Sequence, residues 1–152
     1  EERKFGMFNR GYLITDEIPN TQSLAELAAA NDPRLHNRHW VRSVSKQVAC
    51  HTAKLHRNGF IHNDLKWRNI LVEDTTEPKV YFIDCPVGRR RFGILRKRGF
   101  IKDLACLDKL ACKHLTRTER LFFYKAYTRK QRIDQQDKIL VKRVVHFFDG
   151  RD

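Results

Sequence analysis

The chain has 152 residues, of which 41% are hydrophobic, and its formal net charge is +13. This length favours one compact domain with its own core, and the apolar fraction excludes a disordered polar chain. No apolar run approaches the roughly 20 residues that cross a bilayer, and no secretory signal opens the sequence, so we expect a cytoplasmic protein. The positive charge favours anionic partners, namely nucleic acid, acidic lipid headgroups, phosphorylated sugars or an acidic protein.

The first predicted elements are a hairpin and a short helix. Residues 4–8 and 12–15 are typical of strands, with a turn at Asn9-Arg10-Gly11 between them. Ser23 and Glu26 have the spacing of a capping box, which predicts a helix over residues 24–30. A longer helix is predicted over residues 37–57, because apolar side chains recur there at helical spacing: Trp40, Val41, Val44, Val48 and Leu55.

Short strands and then helices are predicted for the rest of the chain. Residues 60–61, 70–72 and 80–83 are β-branched or aromatic, and a turn at 75–78 makes the last two a hairpin. Asp103 is a candidate N-cap for a helix over residues 104–114, and further helices are predicted near 121–127 and 134–148. This order predicts an α+β fold that is mainly helical with short β-hairpins.

The four cysteines form no C-x-x-C pair, so neither a zinc ribbon nor a thioredoxin-type site is expected. Scattered cysteines in a domain of this size are usually reduced and buried, and we expect the same of these: Cys50, Cys85, Cys106 and Cys112.

A catalytic motif lies between the first two short strands after the long helix. Residues 62–69 fit the kinase catalytic-loop form H-x-D-L-x-x-x-N, and Asp84 ends a later strand, where kinases place a metal-binding aspartate. Asp64 is predicted to orient the acceptor hydroxyl and take its proton. Asn69 and Asp84 offer the hard oxygen ligands that Mg²⁺ prefers.

Two further side chains of this motif have predicted roles. Lys66 lies two residues beyond Asp64 and is predicted to reach the transferring phosphate, while His62 is interpreted as a buried scaffold residue. The alternative interpretation is purely structural. In that interpretation Asp64 is a turn residue, the Asn69 side chain caps a turn, and Asp84 ends a strand.

A basic run follows the predicted metal site. No acid occurs from Pro86 to Lys102, and this stretch contains Arg89, Arg90 and Arg91. Arginine suits bidentate contacts with phosphate, so these residues are candidates for binding an anionic substrate. The alternative is a merely solvated loop.

Around these residues the sequence resembles the lipopolysaccharide kinase family, the bacterial Kdo and heptose kinases of protein-kinase-like fold. Besides residues 62–69 and Ile83-Asp84, residues 12–17 look like the family's hinge strand, and residues 102–107 are similar to its R/K-D-L-A-x-L helix start. The resemblance implies that residues 1–20 are a hinge hairpin ending a small lobe, and that 21–152 are the C-terminal catalytic lobe. It also implies that Glu17 and Ile18 meet the nucleotide and that Asp103, if not a simple N-cap, braces the catalytic loop.

The resemblance implies a kinase that uses ATP and Mg²⁺ to phosphorylate a sugar of the lipopolysaccharide inner core, heptose before Kdo. Its partners would be ATP and an anionic glycolipid, with peripheral contact at the cytoplasmic face of the inner membrane and no specific nucleic acid. Two alternatives stay open: an atypical protein or small-molecule kinase, and a non-catalytic basic binding module. A steep salt dependence of DNA binding would indicate only generic electrostatics.

Departures from ordinary protein kinases favour a small or glycolipid acceptor. Asn63 replaces the usual arginine, Cys85-Pro86 follows Asp84, and no A-P-E segment is present. The sequence also has no glycine-rich loop and no phosphate-binding V-A-I-K lysine, so we expect a fragment of a longer protein or a truncated small lobe.

Overall fold

The computed structural model describes residues 2–4, 7–10 and 16–150, which combine α-helices with small antiparallel sheets. Strands β1 (Glu2–Lys4) and β2 (Met7–Arg10) pair antiparallel, with Arg3 opposite Phe8. The predicted turn at Asn9-Arg10-Gly11 is therefore wrong. Residues 9 and 10 lie in β2 instead. The single strand predicted over residues 4–8 is also wrong, because Lys4 lies in β1 and Met7 opposite it in β2. The predicted strand at 12–15 lies outside the described residues.

The first helices begin where the sequence predicts them. Strand β3 (Thr21–Ser23) leads directly into α1 (Leu24–Ala29), and the capping box of Ser23 with Glu26 is complete. A 3-10 turn at Pro33–His36 then precedes α2 (Arg38–Arg57), whose first turn is capped by Asn37. The predictions of both helices are confirmed.

Three short strands and an unpredicted fourth follow α2. They are β4 (Phe60–Ile61), β5 (Ile70–Glu73), β6 (Val80–Phe82) and β7 (Arg89–Arg90). Strands β3, β5 and β6 form an antiparallel sheet in that order, and the predicted β5–β6 hairpin is confirmed. The unpredicted β7 pairs with β4 and so lies beside the start of the catalytic motif.

The last three helices are α3 (Gly93–His114), α4 (Arg117–Thr128) and α5 (Gln135–Val145). Thr116 and Asp134 cap α4 and α5, and α5 ends at Val145, three residues before its predicted end. Asp103 is not an N-cap, because α3 begins ten residues earlier and Asp103 lies buried within it. Helix α3 lies close against β4: a Cβ added to Gly99 would be 2.2 Å from Cδ1 of Ile61, so glycine permits this contact.

The core lies between the apolar face of α2 and the elements on either side of it. Val44 and Val48 of α2, Ile70 and Val72 of β5 and Leu107 of α3 are all buried in one cluster. Of the four cysteines only Cys106 is buried, so the expectation of buried thiols is wrong for the other three, which lie on exposed positions. No helix in the described part of the chain has both the length and the apolar character to span a membrane.

Candidate active site

The predicted catalytic motif forms a loop from the end of β4 to the start of β5. Leu65 is fully buried and Trp67 nearly so, and these two side chains fix the loop to the core. A 3-10 turn at Trp67–Asn69 delivers the chain into β5. Asn63 has a φ of +68°, a left-handed conformation that asparagine tolerates better than most residues.

Asp64 lies in this loop with three polar side chains of the motif around its carboxylate. Lys66 Nζ lies 2.6 Å from Oδ1, and Arg68 Nη2 lies 2.9 Å from Oδ2. Asn69 Nδ2 donates to Oδ2 at 3.1 Å and to the main-chain oxygen of Asp64 at 2.8 Å. Sequence analysis did not select Arg68, although its spacing of four residues from Asp64 was visible.

These neighbours determine the charge of Asp64. Partial burial raises the pKa of its carboxyl, but the hydrogen bonds from Lys66 and Arg68, the charge of Lys66 and the bond from Asn69 outweigh it and lower the pKa to about 2. Asp64 is therefore ionised at neutral pH. A carboxylate of such low basicity is better suited to orienting a hydroxyl group than to removing its proton early.

Asp103 of α3 lies beneath the loop and is fully buried. Its Oδ2 accepts from the main-chain N–H of His62 at 2.8 Å, and its Oδ1 accepts from that of Asn63 at 2.9 Å. The carboxylate thus joins α3 to the two residues that precede Asp64. Two charge-assisted hydrogen bonds in a dry environment hold this part of the loop in one position.

His56 and Tyr127 complete the surroundings of Asp103, and sequence analysis missed both. His56 Nε2 lies 3.2 Å from Asp103 Oδ2, and its Nδ1 lies 2.8 Å from the Tyr127 hydroxyl. Burial, followed by the charge of Asp103, raises the pKa of Tyr127 to about 12. The hydroxyl therefore keeps its proton. Because a carboxylate oxygen can only accept, Nε2 of His56 donates to Asp103, and Nδ1 is then free to accept from the Tyr127 hydroxyl. No local sequence signal marks this contact between α2, α3 and α4.

His62 is buried, as expected of a scaffold residue, with its ring edge-on to Phe82 at 6.3 Å between centroids. Both of its ring nitrogens lack a hydrogen-bond partner among the described residues. Its main-chain N–H, in contrast, is bound to Asp103. The structure therefore ties His62 into the loop through its backbone and its packing.

The two predicted metal ligands lie on neighbouring segments. The main-chain N–H of Ile83 donates to the main-chain oxygen of Asn69 at 3.0 Å, which holds the residue before Asp84 against the end of the loop. The Asn69 amide nitrogen is engaged by Asp64, so its side-chain oxygen is the atom left for a cation. Asp84 is exposed and forms no ion pair with any described residue. One carboxylate and one amide oxygen fit Mg²⁺, which completes its shell with water and phosphate oxygens.

Within residues 16–150, no three His, Cys, Asp or Glu side chains form a group that could hold an ion. This is compatible with the smaller donor set that Asn69 and Asp84 provide, since Mg²⁺ bound with a nucleotide needs only one or two protein ligands.

The remaining predicted residues lie at the edges of this site. Glu17 is exposed and Ile18 half-buried, and the Ile18 carbonyl already accepts a 2.8 Å hydrogen bond from Thr21 Oγ1. Arg89 and Arg90 form strand β7 with exposed side chains, and Arg91 is half-buried beyond it. In the described part of the chain, no hydrogen bond or ion pair joins either group to Asp64, whose side-chain partners are Lys66, Arg68 and Asn69.

A second feature, absent from the sequence predictions, is a cavity of about 620 Å³ between α3, α4 and α5. Its walls are mainly apolar and include Leu107, Leu115, Phe123, Val141 and Val144. The only buried residue of α5 is Asp137, and Val141 and Val144 of this helix line the cavity instead of a packed core. The lining also includes the cationic side chains Arg117, Arg120, Lys138 and Lys142.

The fold and the loop around Asp64 define the class of this chain: a mixed helix-and-sheet protein of the kinase-like fold. The model of the lipopolysaccharide kinase (Kdo/WaaP) family matches residues 1–127, and the chain belongs to that family. A solved structure described as WaaP in complex with acyl carrier protein is similar, with a TM-score of 0.69 and 25% sequence identity. The match covers 84% of this chain but only 56% of that one, so the chain spans little more than half of its solved relative. No curated protein sequence matches it.

Proposed function

We propose that this chain is the catalytic lobe of a kinase that transfers the terminal phosphate of ATP to a sugar hydroxyl of the lipopolysaccharide inner core. We propose heptose rather than Kdo as the acceptor sugar, on the overall resemblance of the sequence to the family. The observation that carries the proposal is the arrangement around Asp64: a loop braced from beneath by Asp103, with Lys66 and Asn69 bound to the catalytic carboxylate.

In the proposed reaction the acceptor hydroxyl approaches Asp64 and donates a hydrogen bond to its carboxylate. The acceptor oxygen forms a bond to the terminal phosphorus as the bond to the leaving diphosphate breaks, and Asp64 takes the hydroxyl proton late in the process. Lys66 is half-exposed and bound to Asp64, and its flexible chain allows it to turn toward the transferring phosphate. Asn69 and Asp84 would hold Mg²⁺, which neutralises phosphate charge.

The metal role of Asp84 is tested by Asp84→Ala. Loss of its carboxylate removes the only charged member of the proposed ligand pair, so we expect the affinity for Mg-ATP to fall by more than about tenfold. Isothermal titration calorimetry on the complete protein measures this directly. Asp74→Ala is the matched control, because Asp74 is also an exposed aspartate but lies in the turn between β5 and β6. If the two variants bound Mg-ATP with equal affinity, Asp84 would not be a metal ligand.

We propose that Arg89, Arg90 and Arg91 bind phosphate groups of the glycolipid acceptor. They follow Asp84 closely, and β7 lies beside β4, from which the catalytic loop starts. Reversing their charge to glutamate should raise KM for the glycolipid by about tenfold or more, with little change in kcat, because these contacts are made equally in the ground and transition states. Arg132→Glu with Arg143→Glu is the control on exposed positions elsewhere. An unchanged KM would mean that the three arginines are solvated surface residues that do not bind the acceptor.

We further propose that the chain binds an acyl carrier protein, the partner with which the similar WaaP forms its complex. The specific support is the apolar cavity between α3, α4 and α5, which is large enough for an acyl chain and is lined at several points by cations suited to an acidic surface. Ala111→Trp should partly fill the cavity and weaken binding of acyl-loaded carrier protein by about tenfold or more. Size-exclusion chromatography measures the binding of acyl-loaded and of unloaded carrier protein. If the chain bound the two forms of the carrier equally, the cavity would have no role in binding.

A further inference from the structure

Exposed apolar side chains are concentrated at one place in the molecule. Of the seven large hydrophobic side chains that are exposed in the described part, four lie between Val87 and Leu95. Phe92 and Ile94 are 81% and 84% exposed, and Leu95 is 58% exposed. Single exposed apolar residues are ordinary, but a contiguous group marks a surface that is covered by a partner.

The group sits on a part of α3 that projects from the core. The first buried residue of α3 is Gly99, and residues 92–98, which we call the α3 tip, precede it. Almost every side chain of the tip is exposed, with only Arg96 half-buried over the ring of Phe100. At 1.5 Å per residue the tip extends the helix by about 9 Å beyond its packed part. Its apolar residues therefore support no core.

The charge around the tip is entirely positive. Residues 86–102 contain no acid, and the tip itself carries Arg96, Lys97 and Arg98 next to the apolar side chains. Phe92 is the one aromatic ring of the tip, and Ile94 and Leu95 are aliphatic, so the tip offers no series of rings on which successive bases could stack, which disfavours nucleic acid. An exposed apolar end with a cationic border has the chemistry of a helix that enters the headgroup region of an anionic bilayer.

We propose that the α3 tip docks on an anionic phospholipid bilayer. Phe92, Ile94 and Leu95 enter the boundary between headgroups and acyl chains, and Lys97 and Arg98 contact the lipid phosphates. The insertion is shallow, since no described helix could span the bilayer. Insertion of the apolar side chains and attraction of the basic side chains to lipid phosphates together bind the bilayer more strongly than either interaction alone.

The tip is joined to the catalytic loop by a short and rigid path. The Val87 carbonyl accepts a 2.8 Å hydrogen bond from Asn63 Nδ2, next to Asp64. The same helix that bears the tip packs on Ile61 through Gly99 and carries Asp103. Docking would thus orient the loop toward an acceptor in the membrane. This consequence rests on the proposed function, whereas the binding itself does not.

Co-sedimentation of the chain with lipid vesicles tests the proposal without nucleotide or acceptor. We expect binding to vesicles that contain phosphatidylglycerol and much weaker binding to phosphatidylcholine alone. Replacing Phe92, Ile94 and Leu95 together by serine should lower the partition coefficient by at least about tenfold, and Lys97→Ser with Arg98→Ser should lower it by about fivefold per cation. Ile139→Ser is the control on α5, where this side chain is 52% exposed and lies outside the cavity lining, and this variant should bind normally.

A second measurement separates insertion from simple electrostatic attraction. Trp40 and Trp67 are buried, so Phe92→Trp adds an indole that reports on the tip. Its emission should shift to the blue on anionic vesicles and be quenched by brominated acyl chains. Vesicle binding that survives the triple serine change, or an indole that brominated lipid does not quench, overturns the proposal. The proposal is also overturned if the only effect of the triple serine change is the loss of a dimer, measured by light scattering, because the tip would then bind a second copy of the chain. Failure here leaves the kinase proposal standing, because no phosphate transfer is measured.

Discussion

Cells that carry Asp64→Asn in the native gene are expected to make core lipopolysaccharide that lacks one phosphate group. The substitution keeps the shape of the side chain but removes the negative charge that pairs with Lys66 and that is proposed to receive the hydroxyl proton. Loss of a general base costs about 10²- to 10⁴-fold in rate. Mass spectrometry of the isolated core measures the missing phosphate, and the native gene supplies whatever complete protein the cell makes.

Asp74→Asn is the matched control for this experiment. Asp74 also pairs with an arginine, Arg34, but lies in an exposed turn away from the catalytic loop. Its variant should leave the core fully phosphorylated. A core that is unchanged by Asp64→Asn would mean either a redundant enzyme or a different acceptor, and a different acceptor would favour the protein or small-molecule kinase among the alternatives. Loss of the folded protein is checked by thermal melting of the purified variant.

Asp103→Ala is expected to cause the largest loss of stability of any single change at the site. The carboxylate is fully buried and accepts from two main-chain N–H groups and from His56. Its removal leaves those donors buried without partners, which costs about 3 to 5 kcal/mol. Urea unfolding followed by circular dichroism measures the loss.

Asp108→Ala on the same helix provides the comparison. Asp108 forms a two-point ion pair with Arg120, but both side chains are more than one-fifth exposed. Breaking such a pair should cost no more than about 1 kcal/mol. If the two variants were equally stable, Asp103 would not brace the loop in the way its hydrogen bonds indicate.

Much of the fold and the members of the catalytic loop could be predicted from local patterns. Capping residues such as Ser23, Thr116 and Asp134 mark helix starts through bonds made within three residues, so they are readable from sequence. The β5–β6 hairpin was readable for the same reason. The start of α3 was not, because Phe92 makes no side-chain cap and the basic residues that follow are equally common in loops.

The contacts that support the site could not be predicted, because they join distant parts of the chain. His56, Asp103 and Tyr127 come from three helices, and only their packing brings them together. The exposure of Phe92 and Ile94 was hidden for a similar reason, since an apolar residue in a sequence is expected to find a core. Pairing between β4 and β7 likewise depends on how the chain returns after Asp84.

Gly99 shows how a residue without a side chain can be as constrained as a charged one. It lets α3 rest directly on Ile61, and even a methyl group would overlap that isoleucine. Because Asp103 lies one turn further along the same helix, any shift that relieves the overlap also moves the carboxylate beneath the catalytic loop. Naturally occurring variants of this family should therefore tolerate exchange at the exposed Lys113 of the same helix freely, while alanine at position 99 should be rare among working copies.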